Sequence, residues 1–485
     1  MKTLLKIIKG KPNLTIAFVA IALALIMAFV GIKDIYMALA LCLGLMYIFL
    51  VLNRPLIHFY LFILTSIYFF GCINPEEFIR MPGAFKFTDI MFVLTILICA
   101  LKKGGIVKTA SYSKGVLQQY HLKRIIWLVI SLAAFQILFT SFKFNLPIIS
   151  CFKVGRSYLY FFTAIFAMKF FNNKTDEIRI LKFIFTVAVI QSALVFLQNI
   201  FGNLAIFQYT KIIAQEIGEG EVTRVYAPAS YYIIASFSLS LWMLFFKDKT
   251  LPKSVLLFVL AITLPAILLS YNRTFWICTT LIVIMPSVLI KGTRLIKYGF
   301  SIACAMIIAF AIIAFFQNNR AISFFITRAG TISQEVTTYS GNFAVRFEEN
   351  KRRLELINEY PILGPGFVHA DYAATLFNFK TTDPRERAAL LQTNDSGMIT
   401  WLVSFGALGV VWVVYLLGYL FRLTQKTIAM KHIKSGIIIG LTAYVWAAWL
   451  TSITTTGFTY TRGVVAFSVF VYLLFSTINR TEEEI

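Results

Sequence analysis

Charged residues are scarce in this 485-residue chain, at 14% of the total, and acidic ones scarcest, with 22 against 45 lysines and arginines. With 59% hydrophobic residues and a mean hydropathy of +0.78, so little charge excludes a soluble core and points to a polytopic membrane protein. Histidine and cysteine are few as well. His58, His121, His369 and His432 stand singly, no cysteine pair has CxxC spacing, and Cys42, Cys99, Cys278 and Cys304 fall inside apolar runs. That argues against a metal centre or a disulfide framework, although Cys72 and Cys151, read as lying on one side, leave room for a single bridge. No glycine-rich phosphate loop, internal repeat or low-complexity tract occurs, which argues against nucleotide-driven chemistry, and we expect no cofactor.

What is abundant is positive charge and apolar length. The net charge of +23 comes in short clusters between hydrophobic stretches, so it reads as anchoring charge facing anionic lipid and not as a nucleic-acid surface. The basic start MKTLLKIIKGKP, followed by the apolar run Leu14 to Val30 without a small-residue cleavage site, reads as a retained signal anchor. A spanning helix needs roughly 20 apolar residues, and about fourteen segments qualify. They are 14–31, 35–52, 55–72, 88–101, 125–141, 157–171, 178–201, 229–246, 254–270, 273–290, 298–316, 397–420, 435–452 and 462–478. The expected fold is therefore all-α, with spans in 1–316, one large outer loop forming a partly helical cap in 317–395, and further spans in 396–485. Lysine and arginine collect on alternate loops, which puts both termini inside. The spans themselves read as nearly free of charge.

Several arginines then fall on the side where basic residues should be rare. Arg273, in LLSYNRTFWI, sits between two apolar runs; Arg224 precedes the eighth span; Arg346 opens RFEENKRRLELINEYPILGPGF, read as an amphipathic helix ended by Pro361 and a Gly-Pro-Gly turn. Lys153, Arg156 and Arg462 fall at helix ends on the same side. Snorkelling explains one such arginine. Several converging guanidinium groups would instead grip a lipid diphosphate through bidentate forks and stabilise it as it departs. For the proton of an acceptor hydroxyl the candidates are Asp395, then Glu348 and Glu349, with His369 behind them. Asp395 also reads as a helix N-cap, and the two glutamates as a solvated first turn. Tyr226, Tyr231, Tyr360, Phe367, Tyr372 and Phe379 are aromatics that could stack on sugars or simply pack.

These pieces resemble a family. LLSYNRTFW resembles the Ser-Arg-Gly-type turn between two membrane helices of the O-antigen ligase and polymerase superfamily. RFEENKRRLELINEYPILGPGF resembles its Arg, then Pro-x-x-Gly-x-Gly, signature in the large periplasmic loop, and TNDSGMITWLVSFGALGV the segment that re-enters the membrane. TRVYAPASYYIIASFSL is similar to its Arg-x-x-Gly, proline and small-residue helix opening, with Ala227 in the glycine position. The resemblance covers Arg224 to Leu420. It implies a metal-independent membrane glycosyltransferase of the bacterial inner membrane, using undecaprenyl-diphosphate-linked oligosaccharide at the periplasmic face, with Arg273, Arg346 and Arg224 binding the diphosphate. Ligases of the family carry a histidine where Thr393 precedes Asn394. The expectation is thus a polymerase of O-antigen, capsule or exopolysaccharide, with a chain-length regulator as a further partner. The alternatives are a ligase acting on lipid A core or protein, and a lipid-linked-oligosaccharide flippase or other transporter.

Overall fold

The computed structural model describes residues 47, 54–72, 86–101, 114–171, 173–201, 215–217, 222–224, 227–270, 272–289, 341–377, 391, 397–429, 435–453, 457 and 459–483. The expected spans 14–31 and 298–316, and 35–52 apart from Tyr47, lie outside the described residues.

The described chain is helical apart from one short hairpin. In order it forms α1 (Pro55–Ser66), α2 (Phe87–Leu101), α3 (Lys114–Lys143), α4 (Ile148–Leu159), α5 (Phe162–Phe170) and α6 (Lys174–Phe201). Strands β1 (Gln215–Ile217) and β2 (Val222–Arg224) pair antiparallel. Then come α7 (Ser230–Phe245), α8 (Lys253–Leu269), α9 (Arg273–Leu289), α10 (Gly341–Glu359), α11 (Ala370–Leu376), α12 (Gly397–Ala429), α13 (Gly436–Ser452) and α14 (Thr461–Glu483).

Among the described residues, four stretches are long and apolar enough to cross a bilayer: His121–Lys143, Lys174–Asn199, Gly397–Ala429 and Thr461–Glu482. Shorter apolar helices stand beside them, among them Ser230–Phe245, Lys253–Leu269 and Gly436–Ser452. Large apolar side chains lie on the outside as well as in the core. Trp127, Phe258, Val411, Val414 and Phe421 are each half or more exposed, whereas Trp412, Tyr444 and Phe470 are buried. In water that surface would be an aggregation hazard; in hydrocarbon it costs nothing, so the protein is membrane-embedded.

Small residues set the closest approaches. A Cβ on Gly440 of α13 would stand 3.0 Å from the Leu239 Cα of α7, and Ser238 Oγ donates to the Gly440 carbonyl at 2.7 Å. Such pairs let membrane helices touch backbone to backbone.

Contacts along these helices define two ends. One carries Ser66, the start of α2, Lys143 and the starts of α7, α9 and α14; because the segment Pro361–Phe367 seats there, it is called the docked end. At the far end Lys169 Nζ donates to the Cys99 carbonyl, Arg480 and Ser476 of α14 hold the buried Glu177 of α6, and Lys426 pairs with Glu482 at 2.6 Å.

One expectation needs correction. The segment 157–171 is one limb of a broken element: α4 is amphipathic and is joined to α5 by a turn at Tyr160 and Phe161, and α4 packs along α3. The reason lies in its composition, since Lys153, Arg156 and Ser157 interrupt the apolar run. The charges the bundle buries sit at helix starts, Asp89 in the first turn of α2 and Glu177 in the first turn of α6, 4% and 2% exposed. Cys72 and Cys151 are free thiols.

Candidate functional site

The docked end is built around a gap in α12. Gly406 has φ 55° and ψ −143°, which breaks the helix into two limbs and frees backbone groups on both sides. The segment Pro361–Phe367 fills that gap. Ala407 N–H donates to the Pro361 carbonyl at 2.9 Å, Leu408 N–H to the Ile362 carbonyl at 3.3 Å, and Gly366 N–H to the Val403 carbonyl at 3.0 Å. From α3, Gln136 Nε2 donates to the Leu363 carbonyl at 2.9 Å, and Thr140 Oγ1 accepts from Phe367 N–H at 3.1 Å. Irregular backbone inside a membrane domain survives only where protein satisfies it in this way. Gly364 and Gly366 take φ of 68° and 88° to make the approach. Trp401 and Trp412, one on each limb of α12, stack at 4.6 Å with 6° between their planes, clasping the break.

Phe367 enters the core. Its ring stacks on Tyr158 at 5.5 Å, meets Phe405 edge-on, and lies where a Cβ on Gly155 would be. It is fully buried, so of the aromatics singled out in the sequence this one packs and cannot stack on a sugar. Tyr360 forms a cluster with Phe144 and Phe377, with Lys143 Nζ 3.8 Å from its ring centre. Tyr231 contacts Gly457, and Tyr372 packs partly buried against the core. Tyr226 and Phe379 lie outside the described residues.

The same helix that receives Phe367 carries a charge on another side. Arg156 of α4 donates to Asp89 Oδ2 at 2.9 Å, the Tyr160 hydroxyl donates to Asp89 Oδ1, and Lys86 N–H donates to Asp89 Oδ2 at 2.7 Å. Asp89 thus closes the first turn of α2 as a capping carboxylate and holds a guanidinium whose side chain is 12% exposed. Beyond it, Lys86 Nζ reaches the Tyr68 hydroxyl at 3.4 Å, and Tyr68 is within electrostatic range of both Tyr160 and Arg462. Arg462, at the start of α14, also lies 6.0 Å from the ring centre of Tyr460.

Tyr68 is held there by an unusual backbone. Tyr68, Phe69, Phe70 and Gly71 have φ of 52°, 47°, 64° and 83°. Left-handed residues with side chains cost about 1–3 kcal/mol each, and such strain concentrates at functional sites.

The described residues expected from the sequence lie on different elements. Arg273 is the first residue of α9, behind Asn272, whose side chain accepts from Thr274 N–H at 3.0 Å as an N-cap. A cation at the positive end of a helix is unfavourable to the helix, and its charge adds to the dipole in attracting an anion. Arg224 ends β2, opposite Gln215. Arg346 lies in α10, seven residues and thus two turns before Arg353, which places both on one helix face. Arg353 is 1% exposed and donates to Asn350 Oδ1 at 2.6 Å and Glu349 Oε2 at 3.0 Å. Glu349 is committed to that pair, while Glu348 is solvent-facing and 4.0 Å from Arg352. His369 caps α11, accepting from Asp371 N–H at 3.4 Å. Asp395, Thr393 and Asn394 lie outside the described residues, as do the side chains of Arg224, Arg273 and Arg346.

Sequence reasoning placed Arg156 and Arg462 on this side but missed the Asp89 partnership, the role of Lys86 and Tyr68, the gap at Gly406 and the burial of Arg353. The seven-residue spacing from Arg346 to Arg353 was the one signal available for the last of these.

Asn272 and Arg273 give opposite expectations in one turn. Asn272→Ala removes the cap and costs about 1 kcal/mol of stability. Arg273→Ala leaves the thermal midpoint of the detergent-solubilised protein unchanged or slightly higher, because a cation leaves the positive helix end. Melting the two variants side by side checks both.

No family model matches the chain, and no curated protein matches it.

Proposed function

We propose that the chain is an integral-membrane glycosyltransferase that polymerises undecaprenyl-diphosphate-linked oligosaccharide units into O-antigen, capsule or exopolysaccharide at the periplasmic face of the bacterial inner membrane. In this reading the chain has about fourteen spans, 317–395 is the periplasmic cap, and both termini are cytoplasmic. The observation that carries the reading is the double use of α4. One side receives the PILGPGF motif through Phe367 at Gly155 and Tyr158, and Arg156, next to Gly155, pairs with the buried Asp89, which also accepts from the Tyr160 hydroxyl. The segment that follows the arginine-bearing helix α10 and the Asp89–Arg156 ion pair are thereby tied to one end of one bundle. Lys169, Lys174, Lys426 and Arg480 stand at the opposite end, as short cytoplasmic segments require.

Arg273, Arg346 and Arg224 bind the diphosphate in this account, and Asp395 takes the acceptor's proton. Glu348 and Glu349 stand behind Asp395, each facing an arginine of its own helix. The bond between the anomeric carbon of the donor glycan and its phosphate oxygen breaks. A bond from the acceptor hydroxyl oxygen to that carbon forms, and the lipid diphosphate leaves with its charge held by guanidinium groups. Buried carboxylates paired with arginines at the ends of the spans also suit a transporter, and this is the second reading a structural observation favours.

The test is glycan profiling of the native host carrying Arg273→Ala at normal membrane abundance. The proposal expects single lipid-linked repeat units to accumulate and long chains to vanish. Long lipid-linked chains left unattached would mean a ligase. Lipid-linked units retained on the cytoplasmic face would mean a transporter, and an unchanged profile would remove Arg273 from the site.

A further inference from the structure

We infer that helix α10 lies in the boundary between bilayer and water at the docked end, with the side that carries Phe347 and Leu354 seated on lipid. The bilayer surface is then a direct partner of this helix, and the inference goes beyond the proposed activity and does not depend on it.

The sequence of α10 divides its surface into three sides. Glu348, Arg352, Glu355 and Glu359 follow one another at steps of four, three and four residues, so they form one stripe, and all four are exposed. Arg353 and Leu356 are buried and mark the side turned to protein, where α10 packs on α12. The third side carries Phe347 and Leu354, seven residues and two turns apart, 49% and 46% exposed. Phe347 has a further neighbour and keeps that exposure. At 100° per residue the three sides stand about 120° apart. Lys351, exposed at the border of the third side, is long enough to lay its stem on lipid and hold its ammonium among headgroups.

A helix that is open on a charged side and open again on an apolar side needs two media at once, and the membrane surface supplies both along its length. The end of α10 fixes the level. Tyr360, the next residue, has its ring centre 3.8 Å from Lys143 Nζ, and Lys143 closes the apolar stretch His121–Lys143. Lysine and aromatic side chains at the end of a spanning stretch mark the edge of the hydrocarbon. Two residues further on, Ile362 is 66% exposed, and its carbonyl accepts from Leu408 N–H of α12 at 3.3 Å. Leu408 and Val411 themselves face outward, 38% and 61% exposed. The chain thus leaves α10 at the bilayer edge and passes directly onto the lipid-facing wall of α12. From Arg346 to Glu359 the sequence holds four basic and four acidic residues. Apolar contact, and not attraction to anionic headgroups, therefore seats the helix.

The experiment introduces a fluorescent amino acid by codon suppression at Leu354, at Phe347 or at Glu355, one site at a time, in the full chain in phosphatidylcholine nanodiscs. All three side chains are exposed, so no label removes a fully buried one. Lipid brominated on its upper acyl carbons is expected to quench the labels at Leu354 and Phe347, and iodide in the water the label at Glu355. Iodide quenching Leu354 and Phe347 as strongly as Glu355 would put α10 in water and overturn the inference. Labels at Leu354 and Phe347 that neither agent quenches would mean that protein covers this side, a second copy or another segment of the chain, and would overturn it as well. Adding phosphatidylglycerol should leave the lipid quenching unchanged; quenching seen only with that lipid would make the contact electrostatic and overturn the apolar seat. No glycan enters the measurement, so its outcome is separate from the Arg273→Ala profile.

Discussion

Gly406→Ala is expected to leave almost no monodisperse protein after detergent extraction. A Cβ there would lie 2.5 Å from Gly364 N and 2.6 Å from the Ile362 carbonyl oxygen, both backbone atoms that cannot swing aside. The φ of 55° with ψ −143° is open in practice only to glycine. Expelling the loop also exposes the Ala407 and Leu408 N–H groups in an apolar setting, where an unmade hydrogen bond costs about 1–3 kcal/mol. Together these effects reach about 4 kcal/mol or more, a large part of the 5–15 kcal/mol that holds a typical domain together. Gly364→Ala meets the same wall from the other side, at 2.4 Å from the Val403 carbonyl oxygen. Gly418, in the second limb of α12, has nothing within 4 Å of its Cβ position. Gly418→Ala should therefore be neutral, or stabilising by about 0.5–1 kcal/mol through helix propensity. Fluorescence-detected size-exclusion profiles before and after heating compare all of these variants in one experiment.

Asp89→Ala should be the next most damaging change. It removes a partner from a guanidinium that is 12% exposed and from a buried phenol, and it uncaps the start of α2. Breaking one side of a buried ion pair costs about 3–5 kcal/mol, because the surviving charge stays desolvated. Asp89→Asn combined with Arg156→Gln removes both charges and keeps a capping acceptor, and it should recover more than half of the lost thermal stability. If Asp89→Ala melted like the wild type, the buried network would have no weight in the fold.

The bundle was legible wherever length and apolarity alone decide. The runs that became α1, α2, α7, α8, α13 and α14 stand out because a membrane helix needs little beyond composition. PILGPGF was legible as a turn but not as a plug. Its partner, Gly406, is one small residue inside the apolar run WLVSFGALGV, and the hydrogen bonds between them join segments that no local pattern links. The amphipathic α4 was hidden because a search for apolar length begins at Ser157 and leaves Ile148 to Arg156 to the loop. Asp89 and Arg156 lie 67 residues apart, and each alone resembles an ordinary helix-end charge. Their pairing is a product of packing α2 against the α4–α5 corner, which sequence periodicity does not encode. The cap helix shows the converse. Its amphipathic pattern was clear, yet the face that buries Arg353 became visible only once Leu356 was seen beside it in the interior.

The central claim is glycan transfer from a lipid diphosphate, and a reconstituted reaction tests it most directly. The full chain in liposomes would be given polyprenyl-diphosphate-linked oligosaccharide with EDTA present and no nucleotide. The account predicts a ladder of longer lipid-linked glycans, released lipid diphosphate in matching amount, and neither product from Arg273→Ala. A donor that crosses the bilayer unchanged in length, or stays untouched by a folded protein, would contradict it.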